Sequence, residues 1–77
     1  MSLVLLPELG EGIEQATVAC WHFKEGDQVG LDDDIVEVVT DKATFNVSAG
    51  ASGTLVKILV KEGQGARVGE SLGAIEP

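Results

Sequence analysis

Ile35-Val36-Glu37-Val38-Val39-Thr40-Asp41-Lys42-Ala43-Thr44-Phe45-Asn46-Val47-Ser48 is the stretch that decides the fold of this chain. Its first half, through Thr40, is rich in β-branched residues. Its second half alternates small or apolar residues with polar ones, so each half reads as a strand. With Asp41 and Lys42 as the central residues of the turn, Thr40 faces Ala43, Val38 faces Phe45, Val36 faces Val47, and Glu37 faces Asn46. Cross-strand partners share a sheet face, so this register gives one apolar face and one mostly polar face. A slip of one residue would set Phe45 against Glu37 or Val39 and spoil the match. Asp41-Lys42 is not the Asn-Gly type that primed hairpin turns prefer, which points to a type I turn. Lys42 is then held out into water at the tip of a rigid element. That placement suits a lysine that another enzyme must find and modify.

The 77 residues suffice for one small domain. A chain of this size buries only roughly 60% of its unfolded surface, so its core must be efficient. Hydrophobic residues make up 44% of the chain, yet two Phe and one Trp are its only aromatics. Val, Leu and Ile therefore carry the core, which favours thin, well-packed sheets over a roomy ligand pocket. The net charge of −8, from 13 acidic and 5 basic residues, argues against a nucleic-acid partner. It favours solubility at high local concentration and attraction to basic surfaces. Cys20 is the only cysteine, so no internal disulfide and no metal-ligand spacing is visible, and a reducing compartment fits. No apolar run is long enough to span a membrane, and no signal peptide is recognisable.

The chain also repeats itself. Shifted so that Thr17 falls on Thr54, the segment Thr17 to Gly26 overlays Thr54 to Gly63, and the Lys-Glu-Gly triplet recurs in full. Downstream, Ile35 falls on Leu72 and Val38 on Ile75. Each copy reads as a long strand, a glycine-containing turn, a short strand, a second turn and a strand. Gly26-Asp27 and Gly63-Gln64 supply the positive φ that the tight turns need. Leu3 to Leu6, before Pro7, makes a further strand. The expected architecture is all-β: a small sandwich or barrel with an approximate two-fold axis. Under that axis the Lys42 hairpin is matched by the pair of chain ends, which places Lys42 at one end of the domain and both termini at the other.

Other residues invite weaker readings. Lys24, Lys57 and Lys61 rival Lys42 as modification sites but lack a matching exposed hairpin. Asp32-Asp33-Asp34 reads as a solvated turn. Cys20 overlays Lys57 and shares a phase with His22, so both are expected to face outward. A Cys-His nucleophile would need an orienting third group that the sequence does not reveal. Trp21 overlays Ile58 and reads as core.

Pro7-Glu8-Leu9-Gly10-Glu11-Gly12-Ile13, Trp21, Lys24-Glu25-Gly26-Asp27, Thr40-Asp41-Lys42-Ala43-Thr44, Gly53 and Lys57 to Gly63 together resemble a lipoyl domain. The similarity is greatest to the acyltransferase component of 2-oxo acid dehydrogenase complexes, and it runs from about residue 3 to 76. It implies a flattened barrel of two four-stranded antiparallel sheets. It also implies lipoate in amide linkage on Lys42, with Thr40, Asp41 and Ala43 forming the attachment turn. The partners it implies are a 2-oxo acid decarboxylase component, the acyltransferase core, dihydrolipoamide dehydrogenase, and a lipoate ligase or lipoyl transferase. The domain would carry an acyl group between sites and raise its effective concentration at each, without an active site of its own. Gly26 and Val39 are the expected contacts for the modifying enzyme. Val39 stands where the family often carries Glu, and the register above leaves it exposed beside the lysine. Glu8, Glu11 and Glu14 are the expected decarboxylase contacts. The resemblance implies a monomeric domain from a longer acyltransferase chain, in a prokaryotic cytoplasm or a mitochondrial matrix. A biotin carboxyl carrier shares the fold, but that family flanks its lysine with Met, where Asp41 and Ala43 stand here. An unmodified structural module of the same fold is the other alternative.

Overall fold

The computed structural model describes all 77 residues and contains eight strands and no helix. They are β1 (Ser2–Leu5), β2 (Gln15–Trp21), β3 (Gln28–Val29), β4 (Asp34–Val39), β5 (Thr44–Ser48), β6 (Gly53–Ile58), β7 (Gly65–Arg67) and β8 (Ser71–Glu76). The hairpin β4–β5 pairs as its alternation requires, with Val36 opposite Val47, Glu37 opposite Asn46, Val38 opposite Phe45 and Val39 opposite Thr44. Val36, Val38 and Val47 are buried, and Asn46 faces solvent.

Two four-stranded sheets result, ordered β1-β8-β6-β3 and β5-β4-β2-β7, with every pairing antiparallel. The repeat explains this topology. Exchanging β1 with β5, β2 with β6, β3 with β7 and β4 with β8 turns one sheet into the other. Each sheet takes two strands from each half of the chain, β1 and β3 with β6 and β8 in one and β2 and β4 with β5 and β7 in the other, so neither repeat can close its sheet alone.

The hydrogen bonds keep the same symmetry. Gly26 N–H donates to Leu55 O at 2.7 Å, and Gly63 N–H to Val18 O at 2.8 Å. Lys24 N–H donates to Asp27 Oδ2 and Lys61 N–H to Gln64 Oε1, each at 2.8 Å. Gly26 and Gly63 have φ of 98° and 88°, a conformation that side chains resist. The Glu of each Lys-Glu-Gly triplet reaches the opposite half: Glu25 Oε2 accepts from Ile58 N–H at 2.8 Å and Glu62 Oε2 from Trp21 N–H at 3.1 Å. Both long strands carry a bulge at equivalent places, between Val18 and Cys20 and between Leu55 and Lys57.

That bulge changes which face each residue takes. Ala16 and Val18 point into the core; beyond the bulge Trp21 and Phe23 pack inward while Cys20 and His22 turn out. Trp21 is half-buried, donates from Nε1 to Val60 O at 2.8 Å and packs on the core, as its overlay on Ile58 requires. The core is aliphatic: Leu6, Val18, Ile35, Val36, Val38, Leu55, Leu72 and Ile75 are its largest fully buried side chains.

The segment from Gln15 to Val29 runs along the molecule, whose long dimension is 33 Å. At its start Gln15 lies beside Arg67 and Thr17 beside Val39; at its finish Val29 lies beside Gly53, and Thr54 beside Glu76. Ser2 pairs with Ile75, so both termini share the second end. Lys42 lies at the first end, opposite the termini.

Candidate functional site

The β4–β5 turn is built around one hydroxyl. Thr40 Oγ1 accepts hydrogen bonds from Lys42 N–H at 3.2 Å and from Ala43 N–H at 3.1 Å. Thr40 N–H donates to Ala43 O at 2.8 Å and closes the hairpin. The side chain thus stands in for the carbonyl that would accept the Ala43 N–H in a plain turn, a local bond that Thr is able to offer. No residue other than glycine has positive φ, so the turn is not of the primed type. Asp41, Lys42 and Ala43 are all exposed.

Beneath the tip lies an open groove of about 900 Å³. The loop Gly12 to Glu14, the start of β2 through Thr17, the tip Val39 to Lys42, Gly65 and Arg67 line it. The groove is open rather than enclosed, as a chain poor in aromatics suggests. Lys42 and Arg67, two of the five basic residues, meet Glu14 and Asp41 there, so the surface around the lysine is locally balanced within a chain of net charge −8.

The expected site residues divide by place. Thr40, Asp41 and Lys42 come together at the groove, with Ala43 completing the turn. Val39 is half-buried against the groove opposite Thr17, which corrects the expectation of a freely exposed apolar spot. Glu14 reaches the groove; Glu8 and Glu11 are exposed on the same loop but do not line it. Gly26 stands apart: its positive φ and its bond to Leu55 make it a turn former remote from Lys42. Arg67 was not singled out in the sequence, because only the β2–β7 pairing brings it opposite Gln15 and so to the lysine's end. Of the rival lysines, Lys24 and Lys61 start equivalent turns and Lys57 lies mid-strand on β6, all exposed and none at a hairpin tip.

A second constellation appears on the outer face of β2, β4 and β5. The bulge after Val18 sets Cys20 opposite Glu37, which is itself opposite Asn46. Cys20 Sγ lies 3.9 Å from His22 Nδ1, and His22 Nε2 lies 3.1 Å from Asn46 Oδ1. The orienting group absent from the sequence reading is therefore Asn46. Partial burial, then the negative charges of Glu37 and Glu62, push the Cys20 thiol above its ordinary range. That field opposes thiolate formation, so a nucleophile is not what this arrangement favours.

The biotin-requiring enzyme family of biotin- and lipoyl-bearing domains matches residues 2–75. The dihydrolipoyllysine-residue succinyltransferase component of the 2-oxoglutarate dehydrogenase complex of Rickettsia conorii is 43% identical over 72 residues, which cover 94% of this chain and 18% of that protein. The same component of Escherichia coli is 47% identical over 60 residues, covering 78% of this chain and 15% of that one. The chain thus spans less than a fifth of the curated relatives it matches. Among solved structures, the lipoyl domain of the 2-oxoglutarate dehydrogenase complex from Azotobacter vinelandii superposes with a TM-score of 0.77 at 36% identity, over 99% of this chain and 98% of that one. The hairpin lysine, the two-fold pair of four-stranded sheets and these relatives agree, and the chain belongs to the biotin/lipoyl family as a lipoyl domain.

Proposed function

We propose that Lys42 is the lipoyl attachment residue and that the domain carries acyl groups within a 2-oxoglutarate dehydrogenase complex, as part of a succinyltransferase chain. The single observation that carries this reading is the placement of Lys42. It stands exposed at a hairpin tip fixed by Thr40, over an open groove and opposite the chain ends. A lipoyl group on Nζ supplies a dithiolane able to accept and release an acyl group. The residues present fit that role, since nothing encloses the lysine and a long arm can leave the tip in many directions.

The chain's own groups present the lysine rather than activate it. An ordinary lysine amine is protonated at neutral pH and must lose a proton before acylation. That deprotonation is left to the modifying enzyme. Thr40 holds the backbone of Lys42 and Ala43 at one angle, which limits the loss of freedom when that enzyme docks. Glu14 and Arg67 frame the groove and offer one charge of each sign to a docking decarboxylase. Val39 supplies apolar contact there.

The domain is treated with lipoate ligase, ATP and lipoate, then incubated with 2-oxoglutarate and the 2-oxoglutarate decarboxylase component. A parallel sample receives pyruvate and the pyruvate decarboxylase component. The reading expects an acyl mass gain in the first sample, little in the second, and none with Lys42→Arg. Equal gain from both decarboxylases would remove the assignment to 2-oxoglutarate; gain in Lys42→Arg would remove Lys42.

A further inference from the structure

We propose that Cys20, His22 and Glu37 form a zinc(II) site on the outer face of β2 and β4, with Asn46 of β5 holding the histidine. One ligand atom from each of the three residues lies within 4.8 Å of the others. Bonds of about 2.3 Å to sulfur and about 2.0 Å to nitrogen around a tetrahedral ion separate those two atoms by about 3.5 Å. Cys20 Sγ and His22 Nδ1 stand at 3.9 Å, so closing on an ion requires a side-chain shift of a few tenths of an ångström. The Glu37 carboxylate closes from the neighbouring strand, directly opposite Cys20.

The orientation of His22 supports a ligand role. Asn46 Oδ1 can only accept, so the Nε2 it touches carries the proton. Nδ1 is left with its lone pair facing Cys20. A histidine whose second nitrogen donates to a carbonyl oxygen is the usual arrangement around bound metal, because it fixes both tautomer and ring angle.

The two-fold symmetry supplies an internal control. The equivalent row on the other sheet runs Lys57, Ala74, Leu3, with Leu59 in the place of His22. The fold therefore does not itself call for a polar cluster at these positions. Cys20, His22, Glu37 and Asn46 are four departures from the sister half, and all four meet at one point. The bulge is shared by both halves, so it supplies the outward geometry; the residue types supply the chemistry.

Zinc suits the donor set. A thiolate, an imidazole and a carboxylate are ligands it accepts, and three protein ligands leave a fourth position for water. On binding, the Cys20 thiol releases its proton to solvent as the sulfur–metal bond forms, and the two anionic ligands neutralise the ion. The acidic chain, at −8, raises the local concentration of cations. The site is separate from Lys42, so it does not depend on the carrier reading.

The test titrates the untagged, reduced chain with zinc chloride against a chromophoric chelator, and repeats it with cobalt(II) to detect thiolate ligation by its near-ultraviolet charge-transfer band. Far-ultraviolet circular dichroism checks the fold of each metal-free variant. One equivalent should bind, with the cobalt thiolate band. Cys20→Ser and His22→Gln should each weaken binding by more than ~10-fold, and Asn46→Ala by ~10-fold. A folded wild type that binds no zinc would overturn the site. So would either folded ligand variant, Cys20→Ser or His22→Gln, that binds as the wild type does.

Discussion

At the scale of single residues, Thr40 matters more than its place beside the motif suggests. Its hydroxyl accepts the N–H groups of both Lys42 and Ala43. These groups are exposed, so water can replace a lost acceptor, and the net contribution is about 0.5–1.5 kcal/mol. Thr40→Val should leave the fold intact yet lower the ligase kcat/KM by roughly two- to tenfold, as the loosened tip must be ordered on docking. Thr40→Ser, which keeps the acceptor, should stay near wild type. Ligation kinetics of the two variants check this, and a loss in Thr40→Ser with none in Thr40→Val would assign the effect to the methyl group instead. This role was not legible in the sequence, where Thr40 read only as part of a motif. A side-chain cap depends on a rotamer, and alternation patterns carry no information about rotamers.

Among the elements, the hairpin register was readable because β5 alternates and a slip would set Phe45 against Glu37 or Val39. The bulge in β2 was not readable, since Gln15 to Trp21 contains no glycine to mark it. Its consequence was recoverable only through the repeat, which placed Cys20 on the outward-facing Lys57. The meeting of Cys20 and His22 with Glu37 and Asn46 stayed hidden for the same reason: it needs the register across three strands. Gly73 of β8 shows how tightly the two sheets are fitted. A Cβ there would lie 2.8 Å from Lys57 O and 3.0 Å from Trp21 Cη2. Gly73→Ala should therefore cost about 1–3 kcal/mol, an overpacking penalty. Gly65→Ala is the contrast: its Cβ would meet nothing nearer than Ala16 O at 3.7 Å, and it should change stability by less than ~0.5 kcal/mol. Urea unfolding of both variants would decide; equal stability would mean that β8 can withdraw from Trp21 without cost.

For the whole molecule, the internal two-fold is the organising fact. It was legible from Thr17 to Gly26 falling on Thr54 to Gly63, and it predicted an all-β sandwich or barrel with a two-fold axis and the separation of Lys42 from the termini; the count of four strands per sheet came from the family resemblance. The pairing of β3 with β6 and of β7 with β2, each across the two halves, was not legible, because strands of two and three residues carry too little pattern to name a partner. Because each half completes the other's sheet, neither should fold alone. Ile35 and Leu72 are equivalent and both 0% exposed. Truncation of either to Ala should cost about 2–5 kcal/mol and lower the stability of the entire domain in one transition. Calorimetry on each variant tests this, and a second, separate transition would show that the halves are independent.

The central claim is that hairpin geometry, not lysine chemistry, selects the attachment site. The chain has four lysines, and Lys24, Lys57 and Lys61 are exposed, as Lys42 is. The most direct measurement is the intact mass of the variant Lys24→Arg, Lys57→Arg, Lys61→Arg after incubation with lipoate ligase, ATP and lipoate. The account predicts a gain of one lipoyl group, at the wild-type rate, in a chain whose only lysine is Lys42. A folded variant that gains nothing under conditions that modify the wild type would contradict it.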